Sequence, residues 1–461
     1  MLKKSPGPSL PPGWEGLTNP AEPRADLPSL MPRLMDARTG VVRGVDLVQK
    51  DADEPALPIV LTARIANHRF VGKDAQVDLV CSGKGMTLEE ARISAVGEAV
   101  ERYGGGCAPS LPMVRSARHA LDGASLDPRH MVLYRPEQYA ALPYTPYDGT
   151  NVLRWVRARS LVTGDAIHVP TGAVFLHDPQ TREERLAPIT SNGLAAGPTL
   201  AEAVLRAACE VVERDAVMIA WLHRLPCQRI DPLSHPDTAL VNWVRLYARR
   251  GVTLHLFRVP TDQAAHVFLA VGTQRPGGPG PAAVVGMGAD LSAARAARGA
   301  LLEVGQIRPA LARRMRRAET LARLEELKER PESVAKLEDH DLLYALPERL
   351  TALAFLLERP MEPFTWLQPE ATSAVDQLRA LADRLKATGS DLLYCDLTPS
   401  DLMRMGLRVV RAILPGLQPI DFGHQERRLG GERLYQLPVT LGFAKTCSGP
   451  EALNPDPHPI A

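Results

Sequence analysis

The chain has 461 residues, 45% of them hydrophobic, with 54 basic and 53 acidic side chains for a formal net charge of +1. That length and apolar content suit a globular protein with an ample core, as one large domain or two to three ordinary ones. The near-neutral balance argues against nucleic acid or an anionic membrane surface as the default partner, so any charged site must be local.

Cys81, Cys107, Cys209, Cys227, Cys395 and Cys447 show neither C-x-x-C nor zinc-ligand spacing and read as reduced and mostly buried. No run approaches the roughly 18 to 20 apolar residues of a membrane span, and the first residues lack a signal-peptide pattern, so a cytoplasmic location is expected.

Residues 1–32 are rich in Pro, Gly and Ser and read as a poorly ordered arm, or a segment draped over the body. A main domain is expected over residues 33–440, with strands in RLMDARTGVVRGVDLV (33–48), PIVLTARIA (58–66) and AQVDLVCSG (75–83). A helix follows from Gly85 to Tyr103, then an irregular excursion with short helices over 111–147.

Strands resume at LRWVRARSL (153–161) and DAIHVPTGAVFL (165–176), and the loop SNGLAAGPT (191–199) leads into a second helix. VTLHLFRV (252–259), HVFLAVGTQ (266–274) and AAVVGMGA (282–289) read as strands, and LSAARAARGALLEVGQIR (291–308) as a third helix. Residues 313–338 read as solvated helix, residues 391–414 as strand–helix–strand, and 441–461 as a C-terminal tail. Strand, glycine turn and amphipathic helix, repeated about three times, predict an α/β (α+β) fold with pseudo-symmetry inside one composite domain.

Two of these helices share a phrase. GMTLEEARISAVGEAVERY (85–103) and GPTLAEAVLRAACEVVERD (197–215) agree at ten of 19 positions at an offset of 112, including a closing Glu-x-x-Glu-Arg. Thr87 and Thr199 stand as N-caps, and the alanine stripe suits close packing on a sheet. Glu98 and Glu101, like Glu210 and Glu213, are spaced i,i+3 and project from one helical face, with Ser94 one turn before Glu98.

A single E-x-x-E-R is ordinarily an exposed i,i+4 ion pair, here Glu98 with Arg102 or Glu210 with Arg214. Two copies among Ala, Val and Cys neighbours point instead to buried carboxylates that need a compensating cation, and hard oxygen ligands suit Mg²⁺ bridging to nucleotide phosphates. A degenerate third copy, ALLEVGQIR, puts Glu303 where Glu98 stands and Gln306 where Glu101 stands, followed by Arg308.

SGKGMT followed by S-x-x-x-E-x-x-E-R, then SNGLAAG followed by E-x-x-E-R-D, then E-x-x-Q-x-R, resembles the YcaO family of ATP-dependent amide-backbone-modifying enzymes over nearly the whole chain from Arg33. The resemblance implies ATP and Mg²⁺ bound without a P-loop, and no G-x-x-x-x-G-K-[ST] occurs here. It implies that Glu98, Glu101, Glu210 and Glu213 ligate Mg²⁺, and that Ser94, Asn192, Glu202 and Arg214 contact the nucleotide. Gln306 and Arg308 would then line the phosphate end. Lys84 reads equally as a nucleotide contact or a solvated loop lysine.

The ending Pro455-Asp456-Pro457-His458-Pro459 resembles the C-terminal P-x-P-x-P of the azoline-forming branch, although Ile460 and Ala461 follow it here. That branch implies a cyclodehydratase acting on Cys, Ser or Thr of a ribosomal precursor peptide, with the prolines of the tail at the active site. It also implies a separate E1-like (ThiF-like) leader-binding partner, a flavin-dependent oxidase downstream and a homodimer. His340 and His458 are candidates for the general base on chemical grounds. The alternatives are thioamide or macrocyclic amidine formation at the same ATP site, or a non-catalytic scaffold.

Overall fold

Three times along the chain a glycine-bearing strand leads into a long helix, and these three units order the whole molecule. The structure is a computed structural model that describes residues 13–18, 24–52, 54–65, 80–106, 111–367 and 372–460. The start of the strand expected over 75–83 lies outside the described residues.

After helix α1 (Leu27–Leu34), strands β1 (Val42–Leu47), β2 (Ile59–Ile65) and β3 (Val80–Gly85) form an antiparallel sheet, followed by α2 (Leu88–Gly106). The middle part supplies β4 (Met113–Ala117), β5 (Val152–Ser160), β6 (Ala166–Pro170) and β7 (Leu194–Gly197) before α3 (Leu200–His223). Then come β8 (Gln228–Ile230), α4 (Thr238–Arg249), β9 (Val252–Val259), β10 (His266–Gln274) and β11 (Ala283–Asp290), an antiparallel sheet followed by α5 (Ala293–Arg314). Helices α6 (Ala318–Glu329) and α7 (Leu337–Leu343) and strands β12 (Leu393–Asp396) and β13 (Arg408–Ile413) complete the part that concerns the site. β12 and β13 return to the middle sheet, whose order is β4-β5-β12-β13-β7 with β6 also on β5.

The three sheets and three helices close into a ring. α2 packs between β2 and β3 on one side and β7 and β13 on the other; α3 lies between β7 and β13 and the strands β10 and β11; α5 packs on β10 and β11 and reaches β3. Each helix is therefore covered on two sides, which explains the alanines at 91, 95 and 99 of α2 and at 203, 207 and 208 of α3, all fully buried.

The expectations fare well here. Thr87 and Thr199 accept the Glu90 and Glu202 amides at 3.1 and 3.2 Å, so both act as N-caps. The loop expected over 191–199 differs: its second half becomes β7, because the apolar Leu194 and Ala195 pair with Arg411 and Val410 of β13. The excursion 111–147 holds β4 besides short helices, and α1, β8 and α4 were not anticipated. Within the first 32 residues, Trp14 is fully buried and donates its indole N–H to the Leu161 carbonyl at 3.0 Å, so residues 13–18 pack against the body.

Sheet and helix approach closely in the repeat units because glycine faces the helix. A Cβ built on Gly83 would lie 2.0 Å from the Ala95 backbone nitrogen, and one on Gly286 would lie 2.4 Å from the Ala300 carbonyl oxygen and 2.8 Å from the Glu303 Cβ. Gly83→Ala is therefore expected to push α2 off its sheet and cost about 1–3 kcal/mol of stability. Thermal or urea unfolding of the variant beside wild type measures this, and an unchanged midpoint would contradict it.

Candidate functional site

α2 and α3 both pack on β7 and β13, and their Glu-x-x-Glu faces turn toward one region. Two cavities meet there, of about 580 and 560 Å³. Ser94, Glu98, Glu101, Arg102 and Lys84 line the first, Glu202, Glu213 and Asp290 line the second, and Glu210 lines both. Side chains of both phrases thus line one pair of adjoining cavities.

The ordinary ion pairs also form, but not on an exposed surface. Arg102 lies 3.4 Å from Glu98 and 3.7 Å from Glu101, and Arg214 lies 3.8 Å from both Glu210 and Glu213. With side-chain exposures of 17% for Glu101 and 12% for Glu213, these pairs sit in poorly screened surroundings.

Burial, followed by neighbouring charge, moves the carboxyl groups upward. Glu101 is held well above the usual carboxylate range, by burial first and by Glu210 and Glu98 next, with Arg102 opposing. Glu210 is raised by burial against the pull of Arg214, Arg102 and Arg411. Glu213 is raised to about 7, again by burial, with Glu303 and Glu210 adding to it. Conversely, Arg214 stays firmly charged despite burial because Glu213 and Glu210 face it.

Among the described residues, no three acidic, His or Cys side chains are gathered tightly enough to hold an ion unaided. That suits Mg²⁺, which keeps several waters and takes one or two carboxylates alongside substrate phosphates rather than a closed protein cage. The donor set is all carboxylate, and burial raises Glu101, Glu210 and Glu213 despite the arginines beside them. A hard dication bridging to phosphate therefore fits Glu98, Glu101, Glu210 and Glu213.

The remaining expected residues divide. Lys84 reaches across the ring to Glu303 at 3.3 Å, tying β3 to α5 beside Glu213. Glu202 lines the second cavity, where Arg24 pairs with it at 2.8 Å. Asn192 lines a separate, smaller cavity of about 110 Å³ beside β13, and its backbone carbonyl accepts from Arg411 at 2.6 Å.

Gln306 and Arg308 correct the expectation, since neither lines the two large cavities. Gln306 donates to the Ser82 hydroxyl at 2.7 Å. Arg308, two residues further round the helix, points into the interior, where Glu54, Gln274 and the Pro279 carbonyl hold it.

The tail runs along α3. Asn454 donates to the Trp221 carbonyl, Trp221 donates its indole N–H to Asp456 O at 3.0 Å, and Ile460 sits in an apolar socket with Val217, Ala220 and Phe355. Pro455, Pro457 and Pro459 therefore travel from the end of α3 back toward Glu213, with Tyr344 donating to the Pro457 carbonyl at 2.6 Å.

His458 stacks in parallel on His340 of α7 at 3.7 Å between ring centroids, and both rings are buried. Each ring uses both nitrogens on backbone groups: His340 against His458 O and Phe422 O, His458 against Asp421 O and the Ile460 amide. Neither offers a free nitrogen to a substrate, so His340 and His458 are withdrawn as general bases.

Sequence reasoning missed Arg411. It is fully buried on β13, donates to the Val174, Thr190 and Asn192 carbonyls, and lies in the field of Glu210 and Glu101; burial pulls it down to about 10. An arginine set between Val410 and Ala412 in the largely apolar run LRVVRAIL is the available signal.

A family model described as YcaO cyclodehydratase, ATP- and Mg²⁺-binding, matches residues 82–418. The chain is 26% identical over 429 residues to an uncharacterized protein in the tfuA 3′ region of Rhizobium leguminosarum bv. trifolii, covering 88% of this chain and 90% of that protein. Among solved structures, a heterocyclase in complex with substrate and cofactor superposes with a TM-score of 0.76 at 24% identity, covering 97% of this chain. The chain spans 60% of that heterocyclase's length. YcaO from Methanopyrus kandleri bound with AMPPCP and Mg²⁺ gives a TM-score of 0.60 at 22% identity, covering 85% of this chain and 88% of that one. The E. coli microcin synthetase McbBCD complex with pro-MccB17 bound gives 0.53 at 13%, covering 80% and 86%. Those likenesses carry the fold, and the family match extends over most of the sequence: the chain belongs to the YcaO family.

Proposed function

We propose that this chain is an ATP- and Mg²⁺-dependent cyclodehydratase that forms thiazoline or oxazoline rings from Cys, Ser or Thr in a ribosomal precursor peptide. The observation that carries the reading is the meeting of Glu98, Glu101, Glu210 and Glu213, from two repeat helices, around two adjoining cavities. The buried tail beside α3 supports the azoline branch, because it brings the P-x-P-x-P segment to the same helix that bears Glu210 and Glu213.

In this mechanism a substrate thiol or hydroxyl attacks the carbonyl carbon of the preceding amide, giving a tetrahedral oxyanion. The oxyanion takes the γ-phosphoryl group of ATP, and inorganic phosphate then departs as the C–N double bond of the ring forms. A poor leaving group is thereby exchanged for a good one. Mg²⁺, when bound among Glu98, Glu101, Glu210 and Glu213 through one or two of these carboxylates at a time, would supply charge neutralisation during phosphoryl transfer.

The chain's own residues do the rest. Arg102 and Arg214 oppose the upward shift of the carboxyl groups and orient them, and Ser94 and Glu202, which line the two large cavities, are the candidate nucleotide contacts. Lys84 fixes the third repeat unit against the first. A separate E1-like partner grips the leader peptide, and the solved microcin synthetase McbBCD complex with pro-MccB17 bound supports a peptide substrate and partner proteins.

Incubating the chain with ATP, Mg²⁺, its E1-like partner and a leader-bearing peptide is expected to remove about 18 Da per ring with release of phosphate, the water-equivalent loss of cyclodehydration. Glu101→Ala with Glu213→Ala abolishes both. A gain near 16 Da would transfer the reading to thioamide formation, as exchange of oxygen for sulfur requires. Full turnover by the lone chain would remove the partner from it.

The raised carboxyl groups also predict a pH signature. Glu213 is raised from 4.5 to about 7 in the folded state, with Glu101 and Glu210 raised too. Between those values the folded chain keeps protons that the unfolded chain has released, so this contribution to stability is present at low pH and lost as pH rises through about 7. Metal-free protein should therefore melt lower at pH 8 than at pH 6, and Mg²⁺ with a non-hydrolysable ATP analogue should restore the difference. Thermal melts of wild type beside Glu101→Gln/Glu213→Gln test this, and an equal pH slope in the two proteins would refute the assignment.

A further inference from the structure

Two residues line both large cavities: Glu210 and Arg206, one turn apart on α3. Glu210 already belongs to the carboxylate set, whereas Arg206 has so far had no role. Its position in the repeat is informative. At the offset of 112 residues it stands where Ser94 stands in the first phrase, one turn before the Glu-x-x-Glu pair, and both side chains line the 580 Å³ cavity.

The other cations around these cavities are committed. Arg102 and Arg214 face the four glutamates, Lys84 pairs with Glu303, Arg24 with Glu202, Arg295 with Asp290, and Arg298 with Glu90 and Asp237. Arg206 has Glu202 and Glu210 at i−4 and i+4, the spacings at which helical ion pairs form, yet among the described residues it pairs with no carboxylate. Its recorded hydrogen bond is a long one, from Nη1 to the Ala196 carbonyl at 3.4 Å. An exposed guanidinium thus stands where the two cavities join, amid the carboxylates that would hold the cation.

Resting on the nucleotide reading above, we propose that Arg206 is a phosphate contact: it takes the phosphate chain of a nucleoside triphosphate where that chain crosses from one cavity to the other. A planar guanidinium grips phosphate oxygens bidentately, which a lysine cannot reproduce. The pseudo-symmetry gives this contact its logic. The first helix offers a neutral hydroxyl at Ser94 and the second a cation at Arg206, so the two faces of one ligand meet different chemistry at equivalent places.

The test is calorimetric binding of Mg²⁺·AMPPNP, Mg²⁺·ADP and adenosine to the full chain as wild type, Arg206→Gln and Arg206→Lys, with a thermal melt of each. Arg206→Gln is expected to weaken AMPPNP about 10- to 100-fold, as loss of a charge-assisted hydrogen bond does. Adenosine binding and the melting temperature stay unchanged, and Arg206→Lys recovers part of the loss. Equal AMPPNP affinity in wild type and Arg206→Gln overturns the proposal while leaving the nucleotide reading intact. An equal loss for adenosine also overturns it, because the effect would not be on phosphate. A wild-type chain that binds no Mg²⁺·AMPPNP overturns both.

Discussion

The burial of three carboxyl groups, Glu101, Glu210 and Glu213, on two helices that flank the same strands is the constraint around which the centre of this molecule is built. Left alone, such a group would protonate or force the helices apart. The chain answers with arginine on three elements: Arg102 on α2, Arg214 on α3 and Arg411 behind them on β13. Burial outweighs that compensation and holds all three carboxyl groups above their usual range.

Arg411 joins this electrostatics to the covalent frame. It crosses from a strand of the middle sheet to three backbone carbonyls, including those of Thr190 and Asn192 just before β7. The segment carrying Asn192 is therefore held by the same cation that faces Glu101 and Glu210. Asp215, the residue after the second Glu-x-x-Glu-Arg, plays a comparable role on the other side. Fully buried, it accepts from Arg433 and from the Gln418 amide, and so fixes α3 to the C-terminal part.

Much of this was legible in the sequence because repeats are visible without structure. The caps at Thr87 and Thr199, the two paired carboxylates and the strands ending at β9, β10 and β11 all follow from local chemistry and period. What escaped depended on distant partners. β7 becomes a strand only because β13 lies beside it, and Arg308 turns inward only because Glu54 waits there. The histidines could not be judged from their type: His340 and His458 are held by each other and by carbonyls of Phe422 and Asp421, contacts no spacing rule contains.

The closure of the ring sets a demand on how the chain reaches this state. Lys84 meets Glu303 across 219 residues and Ser82 meets Gln306 across 224, so the first sheet gains its last neighbour only when the third helix exists. During synthesis the first unit would wait with one flank uncovered for nearly half the length of the chain. Contacts of such long sequence separation slow folding and extend the time during which apolar surface is open to other molecules. The charged pair Lys84–Glu303 places polar groups at that flank, and a seam that stays wettable until its partner arrives is a safer one to leave open.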